Sequence, residues 1–166
     1  GAGGSIGSEL CRQVAKFSPK ELILFERAEN ALFYIDMELS RSFPNLKKRA
    51  LVADICDRKR VVDIFSENQI DIVFHAAANK HVSLMEESPY EAIKNNVIGT
   101  KILATEAMKF SVERFVMLST DKAVDPTSIM GASKRIAEKL MNYFSKIGNT
   151  KFMAVRFGNV LNSQGS

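Results

Sequence analysis

The chain has no tryptophan, two cysteines, two histidines and four prolines among 166 residues, and each scarcity excludes something. Cys11 and Cys56 have no metal-ligand spacing, so they read as reduced thiols of a cytoplasmic protein. His75 and His81 have no second ligand at metal spacing, so no metal site is expected. No apolar run approaches the roughly 18 residues of a membrane-spanning helix, and nothing resembles a signal peptide. Charge of one sign is also scarce: 23 Lys and Arg stand against 19 Asp and Glu, a net of +4 spread along the chain. The densest basic runs, Lys47-Lys48-Arg49 and Arg58-Lys59-Arg60, lack interleaved aromatics and read as solvated surface, not as a nucleic-acid face.

What is present is 46% hydrophobic and 25% charged residues, the composition of a soluble globular protein long enough for one domain. Helical and strand patterns alternate. Leu10, Val14 and Phe17 share a helix face over 5–17, ahead of Pro19, and 22–25 is a short apolar run typical of a strand buried on both faces. A helix over about 28–41, a strand at 50–53 and a helix over 58–67 follow. Then come a strand at 71–74, a long helix over about 90–110 and a strand at 114–118. A loop around Pro126, a helix over about 128–147 and a strand at 152–155 complete the chain. This alternation predicts an α/β fold, a doubly wound parallel sheet of Rossmann type, with residues 1–166 as a single dinucleotide-binding domain.

The first seven residues, Gly1-Ala2-Gly3-Gly4-Ser5-Ile6-Gly7, form a glycine-rich loop that opens a helix. Unpaired N–H groups and the positive end of the helix dipole at Gly4, Ser5, Ile6 and Gly7 would face a pyrophosphate. The spacing of Gly1, Gly4 and Gly7 is GxxGxxG, with Ile6 where the usual dinucleotide fingerprint has its third glycine. Glu26, just past the first apolar run, stands where a carboxylate meets the adenosine ribose, although a helix-start carboxylate fits the same position. Arg27 beside it could take a 2′-phosphate, which leaves NAD and NADP both open. Asp54 and Ile55 close the next strand, where an adenine edge would lie.

Farther on, five strings resemble one family. They are His75-Ala76-Ala77-Ala78 with Lys80-His81-Val82, Asn96-Val97-Ile98-Gly99-Thr100, Ser119-Thr120-Asp121-Lys122-Ala123-Val124, Met130-Gly131-Ala132-Ser133-Lys134-Arg135, and Arg156-Phe157-Gly158-Asn159-Val160-Leu161. Together they resemble the CapD-type polysaccharide biosynthesis group of extended short-chain dehydrogenase/reductases, the UDP-N-acetylglucosamine 4,6-dehydratases. The resemblance implies an NAD(P) cofactor touched by Ala76, Ala77, Ala78, Asn96 and Lys134, and a UDP-sugar bordered by Lys80, His81 and Asn159. It also implies a homo-oligomer.

The family's Tyr-x-x-x-Lys element reads Met130-x-x-x-Lys134 here, and methionine carries no proton. Methionine at this place resembles the long, membrane-anchored branch, whose anchor would lie upstream on the cytoplasmic face; the shorter branch that inverts C5 keeps tyrosine. The resemblance implies that Thr120 assists loss of the O4 proton, Lys122 removes the C5 proton and Asp121 protonates the departing C6 hydroxyl. For that chemistry Lys122 must be neutral, which requires desolvation or a nearby cation such as Lys134, and Asp121 must be protonated, which requires the opposite shift from burial. A UDP-sugar 4-epimerase on the same scaffold and a catalytically silent nucleotide-binding module remain as alternatives. The glycine loop has no strand before it, and Gln164-Gly165-Ser166 stop short of a substrate-binding portion. The expectation is therefore a fragment that lacks the first strand and is inactive alone.

Overall fold

A computed structural model describes residues 1–160; residues 161–166, with Leu161 and Gln164-Gly165-Ser166 among them, lie outside the described residues. The described chain forms two compact units, residues 1–54 and 55–160. The structure is α/β, and every strand pairing in it is parallel.

The first unit runs α1 (Ser5–Lys16), β1 (Leu22–Glu26), α2 (Glu29–Ser42), β2 (Lys48–Val52). Helix α1 ends where Ser18 takes φ 50° and its N–H returns to the Ala15 carbonyl, and Pro19 cannot continue the helix. In α2, Leu32, Ile35 and Leu39 recur at helical spacing and are buried with Leu24, Ala15 and Cys11. Strands β1 and β2 pair from Leu22 opposite Lys48 to Glu26 opposite Val52. Arg12 of α1 grips Glu38 of α2 with two hydrogen bonds of 2.6 and 2.9 Å.

The second unit begins with α3 (Arg58–Glu67), β3 (Ile72–His75), α4 (Val82–Glu87) and α5 (Pro89–Ala92). A π-helical segment (Ile93–Gly99), α6 (Thr100–Lys109) and β4 (Arg114–Thr120) follow. A 3-10 turn (Asp121–Ala123), α7 (Ile129–Ile147) and β5 (Lys151–Phe157) complete it. The sheet order is β3-β4-β5. Along β4, Phe115, Met117 and Ser119 are buried while the alternate residues are not. Phe115 packs its ring on His75 and Phe152 at centroid distances of 5.9 and 5.3 Å. Asp57 caps α3 through the Arg60 N–H, and Ser128 caps α7 through the Gly131 N–H.

Three expectations shift. The helix expected over about 90–110 is interrupted by the π-helical segment. There Gly99 lets Ile55 approach so closely that a Cβ would lie 2.6 Å from the isoleucine Cδ1. Helix α4 was not anticipated, because six residues with one buried side chain, Met85, show no apolar period. Strand β2 begins at Lys48, two residues before the expected start. Among the described residues no helix is long and apolar enough to cross a membrane.

Burial separates the aromatic side chains of the second sheet. Phe115 is fully buried, whereas Phe74 is 44% exposed. Phe115→Ala should cost about 3–5 kcal/mol, the range for emptying a packed aromatic site, and Phe74→Ala clearly less. Denaturant unfolding of the two variants beside the parent checks the order, and equal losses would contradict this account of the core.

Candidate functional site

In the first unit, the glycine loop folds over the end of β1. The Ala2 N–H donates to the Phe25 carbonyl at 3.1 Å. Helix α1 then starts at Gly4 with no side-chain cap and no acidic residue in its first turn. None of Gly3, Gly4 and Gly7 has a left-handed φ, and close approach is what constrains Gly3 and Gly7. A Cβ on Gly7 would lie 1.8 Å from the Gly1 carbonyl oxygen, and one on Gly3 would lie 2.5 Å from Ala31 Cβ. Gly3, absent from the GxxGxxG reading, is therefore as constrained as Gly7. A Cβ on Gly4 would make only an ordinary contact, with Gly1 O at 3.6 Å.

Glu26 is held rather than free. Its Oε2 accepts from the Gly3 N–H at 3.0 Å, and its Oε1 accepts from the Arg27 and Ala28 N–H groups at 2.8 and 2.9 Å. The carboxylate thus shapes the glycine loop and the entry to α2, and Oε2 keeps capacity for one further donor. Arg27 is exposed, and its guanidinium lies 3.8 Å from the Asp54 carboxylate.

In the second unit, strand β4 delivers Thr120-Asp121-Lys122 into the 3-10 turn. The Thr120 hydroxyl donates to Asp121 Oδ1 at 2.9 Å, and Lys122 Nζ lies 3.3 Å from the same oxygen. Lys122 Nζ also donates to Asn159 Oδ1 at 3.0 Å, so the expected substrate residue and the expected base are brought together. The turn is seated against α7. A Cβ on Gly131 would lie 2.3 Å from the Lys122 carbonyl oxygen, so only glycine lets the helix come this close. Hydrogen bonds from Thr120 and Lys122 hold the Asp121 carboxyl below its ordinary range. This is opposite to the upward shift expected for an acid, because the side chain is exposed and surrounded by donors.

Lys134 is buried on α7, and its ammonium donates to the Leu118 carbonyl at 2.6 Å. Burial pushes its amine down to about 8, while Glu138 acts in the opposite direction. One turn earlier, Met130 lies in an apolar cluster with Met85 and Ala92. In the Met130-x-x-x-Lys134 element this side chain is buried and packed.

Asn96, expected at the cofactor, is bonded within the protein. It is 1% exposed, and its Oδ1 accepts from the Asn79 N–H at 2.8 Å. Its Nδ2 donates to the Asn79 carbonyl and to Ser133 Oγ, both at 2.9 Å. Both amide protons are spent, so Asn96 clamps the loop after β3 to the π-helical segment and α7. That loop carries half-buried Ala76, Ala77 and Ala78, then exposed Lys80 and His81. Beneath it, buried His75 meets the Thr100 hydroxyl at 2.8 Å, and Thr100 donates to the Asn96 carbonyl. His75 must then donate from Nε2. Burial and the nearby Lys134 charge keep its pKa well below the usual value, so the ring is neutral. Ile55 is buried against Gly99.

Sequence reasoning missed Asn79, Ser119 and Glu138. The four-residue step from Lys134 to Glu138 was the available signal for the last, since it places both on one helix face.

The family model described as polysaccharide biosynthesis protein matches residues 1–166. The chain belongs to this polysaccharide biosynthesis protein family. It is 49% identical over its whole length to the capsular polysaccharide biosynthesis protein CapD of Staphylococcus aureus, covering 28% of that protein. It is 34% identical to a UDP-N-acetylglucosamine 4,6-dehydratase (inverting) of Campylobacter jejuni, over 100% of this chain and 49% of that one. A UDP-glucose 4-epimerase of Rickettsia canadensis is 39% identical over 89% of this chain and 42% of its own length. Among solved structures, Pen from Bacillus thuringiensis superposes with a TM-score of 0.90 at 36% identity, covering 100% of this chain and 52% of Pen. The chain thus spans half or less of the length of these curated family members.

The buried amine gives this family member a measurable signature. Between about 8 and the ordinary 10.5, the unfolded chain binds a proton at Lys134 that the folded chain releases. Stability should therefore rise with pH across that window and be penalised below it. Lys134→Met should flatten the rise. Lysine side-chain NMR should find one amine titrating near 8, and a titration at the ordinary value would contradict the burial argument.

Proposed function

We propose that the chain is the cofactor-binding and proton-transfer part of a nucleotide-sugar 4,6-dehydratase, a lyase acting on UDP-N-acetylglucosamine in polysaccharide biosynthesis, with residues 1–166 its dinucleotide-binding domain. The observation that carries this reading is the exposed Thr120-Asp121-Lys122 turn tied to Asn159 and backed by Lys134. Its support from relatives is the dehydratase at 34% identity across the whole chain. The uncapped first turn of α1, the close packing at Gly7 and the carboxylate at Glu26 fit a dinucleotide, NAD or NADP. Such a group, when bound, supplies the reversible hydride acceptor that a 4-keto sugar requires.

The chain's own residues handle protons. As found, Lys122 and Asp121 form an ion pair at 3.3 Å. Moving one proton from Nζ to the carboxylate turns the pair neutral, giving an amine base for the C5 proton and an acid for the C6 hydroxyl. In water the ion pair is favoured; beneath a bound sugar the loss of solvation penalises the charged form. Substrate binding is thus what arms the pair, which reconciles the lowered Asp121 pKa with its acid role. Lys134, fixed beneath Leu118, contributes a cation near the start of the turn.

An epimerase reading is favoured by the Rickettsia relative. It differs in needing no acid for C6 and no base for C5. The test is mass spectrometry of the product formed by the full-length protein from UDP-N-acetylglucosamine in deuterated water. Loss of water with deuterium at C5 is expected. An unchanged mass with inverted C4 would establish epimerisation instead. Asp121→Asn and Lys122→Ala should each lower dehydration by about 100-fold or more, the usual scale for removing a positioned acid or base.

A further inference from the structure

Glu138 stands one turn beyond Lys134 on α7, with its side chain 8% exposed. Its acceptor capacity is filled. Oε1 accepts from Ser119 Oγ at 2.6 Å and from Arg156 Nε at 2.7 Å. Oε2 accepts from the second nitrogen of the Arg156 fork at 2.6 Å and from Arg135 at 3.3 Å. Arg156 holds the carboxyl down to about 2, so it is charged under all ordinary conditions.

The partners matter more than their number. Ser119 and Arg156 face each other in register across β4 and β5. Ser119 immediately precedes Thr120-Asp121-Lys122, and Arg156 lies three residues before Asn159. One carboxylate therefore pins to α7 the two strand ends that carry the Lys122 and Asn159 side chains, which meet at 3.0 Å. A two-point Arg–carboxylate fork fixes orientation as well as distance, which a single hydrogen bond or a point charge does not.

We propose that Glu138 is a positioning residue: by tying Ser119 and Arg156 to α7 it sets the placement of Lys122 against Asn159. The proposal rests on reading the 120–122 turn as the proton-transfer element. It assigns to Glu138 and Arg156 a role in the rate of the C5 proton step, although neither needs to touch the sugar.

The test uses the full-length enzyme with Glu138→Gln and Arg156→Lys, the second keeping the charge but losing the fork. Both should lower kcat by about 100-fold, the scale of a misplacement near 1 Å, with KM for the nucleotide sugar nearly unchanged. C5 hydrogen exchange into deuterated water should slow in parallel. Independently of turnover, Lys122 should become more reactive towards reductive methylation in both variants, because it is released from Asn159. The proposal is overturned if Lys122 reactivity does not change, if Arg156→Lys behaves as wild type, or if kcat per folded molecule is unaltered while only the unfolding midpoint falls. A wild-type enzyme with no C5 exchange would instead defeat the functional reading, and Lys122 reactivity would still decide whether the clamp exists.

Discussion

Much of the second unit depends on how closely the first turns of α7 approach the end of β4. Three contacts set that distance: Gly131 against the Lys122 carbonyl, the Lys134 ammonium on the Leu118 carbonyl, and Glu138 on the Ser119 hydroxyl. They fall at helical spacing on α7 and on a run of five residues in and after β4. A helix face with a period near 3.6 residues is thus matched to a strand end, and each contact supports the next. Burying an ammonium and a carboxylate there costs solvation, which is offset only because each has specific partners within 2.7 Å.

The same economy appears at the loop after β3. Asn96 spends its whole amide on the backbone of Asn79 and on Ser133, and Thr100 links its hydroxyl to His75. Asn96 and Thr100 lie at or beside the π-helical segment, whose wider turn buries Asn95, Asn96 and Gly99 together. Such turns are common where a helix must present side chains out of ordinary phase. Asn95 Oδ1 is left without a partner there, a local cost of the arrangement. The polar network below the loop is therefore structural, whereas Asp121 and Lys122 of the 120–122 turn are exposed.

Most of the architecture was legible in the sequence because apolar periodicity is a direct imprint of burial. Leu32, Ile35 and Leu39 on α2, and the apolar run 115–118 on β4, could be read as helix and strand. What could not be read depends on partners distant in sequence. Whether Asn96 touches a cofactor or a loop is decided by Asn79, and whether Asp121 is an acid or an anion by Thr120 and Lys122. The glycine loop shows both sides. Its presence was plain, but the constraint on Gly3 arises from Ala31, 28 residues away.

Methionine at position 130 fits this division of labour. A tyrosine there, buried as Met130 is against Met85 and Ala92, would need a hydrogen-bond partner for its hydroxyl, and the cluster around Met130 is apolar. With a thioether in place, the first turn of α7 is committed to packing and close approach, and Lys134 remains as a buried cation held by a carbonyl. On the proposed reading, proton transfer then comes from groups beyond the helix, and the 120–122 turn carries Asp121 and Lys122 side by side. The loss of the tyrosine is therefore not by itself the loss of chemistry. On that reading the reacting groups lie at the strand end, which α7 holds in place.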